Sequence, residues 1–393
     1  MDVEVARWLV SAEAEPWLAL AGDQADPSSL AAAAVLRRGL DADKAAVVLD
    51  QAVLQRRAAV KVGAGRLRFL TTLGLEQATR WDVAAWRAAR MTEAGATRVV
   101  DLGCGLGLDA LAMQEAGMQV VAVERDPVVA VLARANLRVE VVVGDAEAVA
   151  PDLLTPGKAV YCDPARRTAR GRSWDVADLS PSWDFVTGLL DGSRTACIKL
   201  GPGVPHRVLP NSAEVTWVSH SGDAVEATIW AGPGASQGRR SAVLLPSGAD
   251  LAADGSAVPI GEVGHWLVEP DPAVIRAGAL GALAARHNLR GLVDGIAYLT
   301  SDSRPDVGPY GDVFEVADQL PYDLRALRAW VRDAGIGTLE IKKRGVDIDP
   351  AVLRKQLKPS GKGSATLVVT PTGTGVRVLV VRRSPGRHTK AMV

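Results

Sequence analysis

Cysteine is scarce in this 393-residue chain: Cys104, Cys162 and Cys197 are too few and too scattered for a disulfide framework or a paired metal motif. No metal is expected. Net charge is also lacking, since 45 Lys and Arg balance 45 Asp and Glu, so any nucleic-acid contact must come from local patches. No apolar run approaches the length of a membrane span, and the start, Met1-Asp-Val-Glu-Val5, is acidic where a secretion signal is basic. A soluble cytoplasmic protein is expected. Phe is rare, three against ten Trp, and most of the tryptophans fall at apolar-periodic positions that read as core. Lys is scarce beside abundant Ala, Gly, Val and Arg, a composition typical of a GC-rich genome.

The length exceeds one typical core, so two or three domains are expected. Residues 1 to about 90 read as helices, with apolar residues at helical spacing over Val3 to Leu20, Leu30 to Leu40 and Lys44 to Val60. Helix starts are expected at Asp26-Pro-Ser-Ser29 and Asp41. A helical cap on the next domain is preferred to a separate binding module.

The most informative stretch is Val99-Val-Asp-Leu-Gly-Cys-Gly-Leu-Gly-Leu-Asp109, an apolar strand that ends in Asp101 and breaks into Gly103, Gly105 and Gly107. Glycines tolerate positive φ and let backbone amides approach a ligand closely, and a helix from Leu108 would add its N-terminal dipole. A dinucleotide turn needs G-x-G-x-x-G, but here the third glycine comes one residue early and Leu108 takes its slot. This disfavours NAD. An acid two residues before the first glycine suits a cationic, amino-acid-bearing adenosine ligand, and S-adenosylmethionine fits that description.

Further strands support this reading. Gln119 to Glu124 ends in an acid placed to accept both ribose hydroxyls, with Arg125 next to it; Val139 to Val143 leads to Asp145, for the adenine amine, and the Ala146 amide, for a ring nitrogen. Ala159-Val-Tyr-Cys-Asp-Pro-Ala-Arg166 holds a fourth strand, ending at Asp163, and Thr195 to Leu200 is a fifth strand. Glu214 to Ser219 and Val225 to Ala231 read as a hairpin. Ser241 to Leu245 is another strand, and Ser247 to Ala257 reads as a linker.

In order and spacing these residues resemble motifs I to IV of class I S-adenosylmethionine-dependent methyltransferases, over roughly residues 75 to 245. The whole chain resembles bacterial members that carry a C-terminal THUMP-like domain. Leu75-Glu-Gln-Ala-Thr79, Asp163-Pro-Ala-Arg-Arg167, Lys199-Leu-Gly-Pro-Gly203, Glu269-Pro-Asp-Pro-Ala273 and Ile341-Lys-Lys-Arg-Gly345 carry that likeness. The resemblance implies a mixed α/β fold: an N-terminal helical domain (1–75), a Rossmann-like seven-stranded methyltransferase domain (76–246) and a C-terminal α+β THUMP-like domain (258–393). It also implies an RNA-modifying enzyme, with Gln77 and Thr79 at the methionine end of the cofactor.

Amino-methyltransferases acting on nucleobases commonly carry Asn/Asp-Pro-Pro-aromatic at motif IV. Here Ala165 and Arg166 stand in the last two places, so the stacking ring is missing. Asp163 and the Pro164 carbonyl can still accept hydrogen bonds from an N–H nucleophile, while Arg166 can stack on or pair with an RNA group. The leading expectation is methylation of a base nitrogen in tRNA or rRNA. The same tetrad resembles that of RNA 5-methyluridine enzymes, which need a nucleophilic cysteine; Cys162 and Cys197 are the candidates here. A small-molecule methyltransferase, or an RNA-binding protein that keeps the cofactor as a structural ligand, is the remaining alternative.

RNA contacts are expected from two places. Arg166, Arg167, Arg170 and Arg172, with Trp174 beyond them, set guanidinium forks beside motif IV, and Lys199 closes the pocket or neutralises a phosphate. From Ile336 onward twelve Lys and Arg face three Asp and Glu, with Lys342, Lys343 and Arg344 closest together, then Lys355, Lys358 and Lys362. Such a patch suits phosphate contacts.

Overall fold

A computed structural model describes residues 1–166 and 175–384, with only the main chain of Arg166. The N-terminal region is helical: α1 (Val3–Leu9), α2 (Glu15–Gly22), α3 (Leu30–Leu36), α4 (Ala42–Lys61), α5 (Thr72–Gln77) and α6 (Trp81–Glu93). Side-chain oxygens of Asp2, Ser29, Asp41 and Thr71 take up orphan amides at the starts of α1, α3, α4 and α5. Within the expected start at Asp26 to Ser29 the cap is Ser29, while Asp26 closes a turn onto Ser28. Leu9, Leu36, Val48, Leu54, Leu67 and Leu70 form a hydrophobic cluster that also contains Leu106, Leu108 and Leu132. The helices therefore share one core with the glycine-turn region.

Asn136 fastens the two together. Its Oδ1 accepts the amides of Arg68 (2.9 Å) and Phe69 (2.8 Å), and its Nδ2 donates to the carbonyls of Phe69 (2.9 Å) and Leu106 (3.0 Å). Asn136→Ala removes all four bonds and is expected to lower unfolding free energy by about 2 kcal/mol, read as a fall in the urea midpoint with unchanged m.

The strands and helices that follow are β1 (Arg98–Leu102), α7 (Leu108–Glu115), β2 (Gln119–Glu124), α8 (Pro127–Leu137), β3 (Val141–Val143), α9 (Ala146–Leu153), β4 (Ala159–Cys162), β5 (Ala165–Arg166), β6 (Leu179–Ser180), α10 (Trp183–Gly188), β7 (Ala196–Leu200), β8 (Glu214–His220), β9 (Asp223–Ala231), β10 (Arg240–Leu245) and β11 (Ala249–Ala252). The main sheet runs β11-β10-β8-β9-β7-β4-β1-β2-β3. Its β7-β4-β1-β2-β3 part is parallel, with β9 antiparallel to β7. The near-continuous apolar runs of β1 and β4 follow from burial on both faces.

The seven expected strands occupy β8-β9-β7-β4-β1-β2-β3, and β10 and β11 extend the sheet to nine. Strand β11 falls in the stretch expected to be a linker. The chain reverses through Gly248 at φ 72°, and Leu251 gives the polar segment one buried anchor.

The chain divides into two compact units, Met1–Val215 with Ala227–Gly238, and Thr216–Glu226 with Arg239 onward. The second contains β12 (Trp266–Pro270), α11 (Pro272–Arg276), α12 (Leu280–His287), β13 (Arg290–Gly291), β14 (Leu299–Ser301), β15 (Gly311–Pro321), α13 (Leu324–Asp333), β16 (Ile336–Lys343), α14 (Pro350–Leu357), β17 (Gly363–Thr372) and β18 (Gly375–Arg383). Its sheet runs β13-β14-β12-β15-β18-β17-β16. Leu327 and Val331 of α13 and Leu353 and Leu357 of α14 cover Leu339, Ile341, Leu367, Val369, Val378 and Val380 of the sheet. The helical apolar pattern over 271 to 287 is split into two helices, because Gly278 takes φ 71° and ends α11. No described helix is long and apolar enough to cross a membrane.

Candidate active site

The glycine turn folds over the end of β2, where the amides of Gly103 and Cys104 both donate to the Val123 carbonyl, at 3.0 and 2.9 Å. Gly103, Gly105 and Gly107 take φ of 93°, 55° and 90°, a region that strains other residues. They do two different jobs. A Cβ on Gly107 would lie 2.8 Å from the Leu137 side chain, so that glycine lets α8 pack closely. A Cβ on Gly105 would meet nothing within 4 Å, and on Gly103 only the Asp163 carbonyl at 3.9 Å, so these two leave open space. The Glu124 carboxylate holds the turn, accepting the amides of Gly105 (3.0 Å) and Asp126 (2.8 Å).

Next to this turn lies a buried charge network. Both carboxyl oxygens of Asp101 are sealed from solvent and accept no hydrogen bond from the described residues. Burial, and then the negative charges of Asp109 and Asp163, push its carboxyl well above the usual carboxylate range; Arg87 opposes this and Glu124 adds to it. Asp109 behaves oppositely. Burial would raise it, but the Arg87 charge, then Lys199, and hydrogen bonds from Arg87 and Thr79 hold it below the usual range. The Arg87 guanidinium pairs with Asp109 Oδ1, the Thr79 hydroxyl donates to Oδ2 at 3.1 Å, and Arg87 lies 5.1 Å from the centre of the Tyr161 ring.

At the end of β4, Asp163 Oδ2 pairs with the Lys199 ammonium from the neighbouring strand β7. Its Oδ1 makes no hydrogen bond among the described residues, and the side chain is 34 % exposed. The chain after Pro164 leaves as a two-residue ribbon, with Ala165 opposite Ser180 and Arg166 opposite Leu179. Cys162 and Cys197 are fully buried. Burial, and then the charges of Asp163 and Asp101, push the Cys162 thiol well up.

The other expected residues are spread more widely. Asp145 is exposed and caps α9, its Oδ1 accepting the Glu147 amide at 2.9 Å; buried Ala146 opens that helix. Arg125 is exposed and reaches the Ser180 hydroxyl at 3.2 Å. Gln77 is exposed at the end of α5, whereas the hydroxyl of Thr79 is already committed to Asp109. Arg167, Arg170, Arg172 and Trp174 lie outside the described residues, as does the Arg166 side chain. In the second unit Lys342 is paired with Glu269 at 2.6 Å and Arg344 approaches the same carboxylate at 3.9 Å. Lys343 alone of that trio is exposed. No group of three or more His, Cys, Asp or Glu among the described residues is arranged to hold a metal.

An uncharacterized S-adenosylmethionine-dependent methyltransferase of Mycobacterium tuberculosis, matched in two strains, is 35 % identical over 348 residues, which cover 85 % of this chain and 94 % of the relative. The chain belongs to the S-adenosylmethionine-dependent methyltransferases. A Porphyromonas gingivalis crystal structure with a provisional methyltransferase name shares the fold at a TM-score of 0.79 and 23 % identity, covering 98 % of this methyltransferase and 99 % of its own chain. A family model described as THUMP domain-like matches residues 311–383, from β15 through β18. The methyltransferase uses S-adenosylmethionine, and the site has room for it: Gly103 and Gly105 leave open space at the turn that the Glu124 carboxylate holds. Arg87 and Asp109 were not foreseen as site residues. A signal did exist, since Arg87 stands on the apolar stripe Val83, Ala84, Ala88, Met91 of α6, where a charge needs a buried partner.

Proposed function

We propose that this methyltransferase methylates a base nitrogen in tRNA or rRNA. The observation that carries the reading is Asp163, a carboxylate at the end of β4 with one oxygen fixed by Lys199 and the other open to a donor. A carboxylate held this way, together with the Pro164 carbonyl, can accept hydrogen bonds from the N–H group of a nucleophile and fix its direction of approach. S-adenosylmethionine supplies a methyl group on a sulfonium, which is already a good leaving group. The chain's own work is therefore mainly positioning.

Glu124 is the proposed ribose ligand. Each of its oxygens accepts one amide, and a carboxylate has about four acceptor sites, so capacity for two hydroxyls remains. Asp145 and the Ala146 amide are assigned to the adenine, Gly103, Gly105 and Gly107 to the backbone cradle, and Gln77 to the methionine end. Thr79 and Asp101 act with Arg87 and Asp109 from behind this surface, and Arg125 flanks it. Glu124→Ala is expected to weaken cofactor binding by tenfold or more, about 1.4 kcal/mol per tenfold, in a calorimetric titration.

A cysteine-dependent C5 mechanism needs a thiolate that reaches a pyrimidine, and fully buried Cys162 and Cys197 do not favour it. RNA as the substrate draws support from the THUMP domain-like match and from exposed Lys343, Lys355, Lys358 and Lys362. The test is transfer of labelled methyl from S-adenosylmethionine to total RNA of a strain lacking the gene, followed by nucleoside mass spectrometry. One labelled nucleoside, absent from that strain's unlabelled RNA and methylated on nitrogen, is the expected result. No label in RNA, despite cofactor binding, overturns the proposal.

A further inference from the structure

Lys61, Arg80 and Lys199 stand close enough for the positive charges of the last two to act on the first, Lys199 is paired with Asp163, and Lys61 and Arg80 both come from the N-terminal helical region. Lys61, at the end of α4, donates to the carbonyls of Leu75 (2.7 Å) and Glu76 (2.6 Å) at the end of α5. These acceptors are neutral, so the ammonium is held without being neutralised. Burial, and then the positive charges of Arg80 and Lys199, hold Lys61 below the usual lysine range; Glu76 opposes this and Arg57 adds to it. Glu76 is itself 3.8 Å from Arg57, and Lys199 is paired with Asp163. Arg80 is exposed at the start of α6 and makes no ion pair among the described residues.

Like charges gathered beside a reaction centre repel one another, and an anion brought among them relieves that repulsion. The short segment 75–80 that carries Arg80 is pinned on both sides, by Lys61 from α4 and through Thr79 by Asp109 of α7. The arrangement is thus held in place before any ligand arrives. We infer that Lys61 and Arg80, with Lys199 behind them, form an anion-recognition rim that seats a phosphodiester of the nucleic-acid substrate next to Asp163. This rests on the proposed RNA reading and gives the N-terminal helices a part in substrate binding beyond covering the cofactor domain.

The test is binding of unfractionated tRNA to the full chain, followed by fluorescence anisotropy from about 50 to 200 mM salt. Arg80→Ala is the primary variant because Arg80 is exposed and makes no ion pair among the described residues. It is expected to weaken tRNA binding and to lower the slope of log K against log salt by about one, and Lys61→Ala with Arg80→Ala by about two. Arg80→Lys restores the slope, and calorimetric affinity for S-adenosylmethionine stays at the parental value throughout. An unchanged slope in both Ala variants, where the parent binds tRNA, overturns the rim and leaves the RNA reading intact. A parent that binds neither unfractionated tRNA nor ribosomal RNA in the same assay overturns the RNA reading itself. Loss of cofactor affinity with an unchanged slope assigns the rim to the carboxylate of the cofactor and also overturns the proposal.

Discussion

Asp163→Ala is expected to reduce methyl transfer by a factor of about a hundred or more, with cofactor affinity within about threefold of the parent. The variant removes a carboxylate whose Oδ2 is held by Lys199 and whose Oδ1 accepts no hydrogen bond from the described residues. It leaves the turn over Gly103 and the Glu124 clamp untouched. Asp163→Asn separates two functions of the carboxylate. It retains an acceptor oxygen, so if Asp163 only positions the nucleophile, much of the rate returns with an unchanged pH profile. If it also takes the proton, the rate stays low. Single-turnover rates with saturating cofactor distinguish these outcomes, and full activity of Asp163→Ala would remove Asp163 from the site.

Arg87→Leu is expected to destabilise the protein by about 3–5 kcal/mol, the usual effect of removing one partner from a buried ion pair. Arg87 is 1 % exposed, and its loss leaves Asp101 without its opposing cation and Asp109 with the weaker influence of Lys199 alone. The two acids respond to pH in opposite directions. Asp109 is held low, so its contribution is present above its unfolded value, about 3.9, and is lost as pH falls through its lower folded value. Asp101 is held high, so its contribution is full below the same unfolded value and is lost as pH rises through its raised folded value. Removing Arg87 deprives Asp109 of its compensation. The deficit is therefore expected to be largest near neutral pH and smallest at pH values below the lowered folded value of Asp109, where both carboxyls are protonated in either state. Urea unfolding at a series of pH values measures this. The double variant Arg87→Leu with Asp109→Leu is expected to recover much of the loss, since two apolar groups replace a broken pair; a deficit that stays flat across pH would mean that packing against Tyr161 dominates instead.

The strand ends of the cofactor domain were legible because each pairs a local apolar run with an immediately following glycine or acid. Asp101, Glu124, Asp145 and Asp163 all fall just beyond or at the close of such runs. Strand β11 was hidden because Leu251 is its single well-buried anchor in a polar stretch, and the break between α11 and α12 because a helical apolar pattern continues on both sides of Gly278. Charge pairing was the least readable feature. Arg87 and Asp109 are 22 residues apart, and Lys342 and Glu269 are 73 apart, so only the fold decides that they meet. For the same reason the basic run at Lys342 to Arg344 looked more available from its composition than two of its three side chains are. Lys61 and Arg80 gave no signal in the sequence beyond being basic residues in helical stretches.

The three thiols have a use unrelated to chemistry. All of them lie in the first compact unit, buried, and the second unit has none. A maleimide therefore reports solely on openings of the cofactor domain. Its labelling rate gives a local opening free energy that can be compared with global denaturation, and bound S-adenosylmethionine should slow labelling by a factor of one plus its concentration over Kd. A single modification experiment would thus read both the breathing of this unit and its occupancy, without any engineered probe.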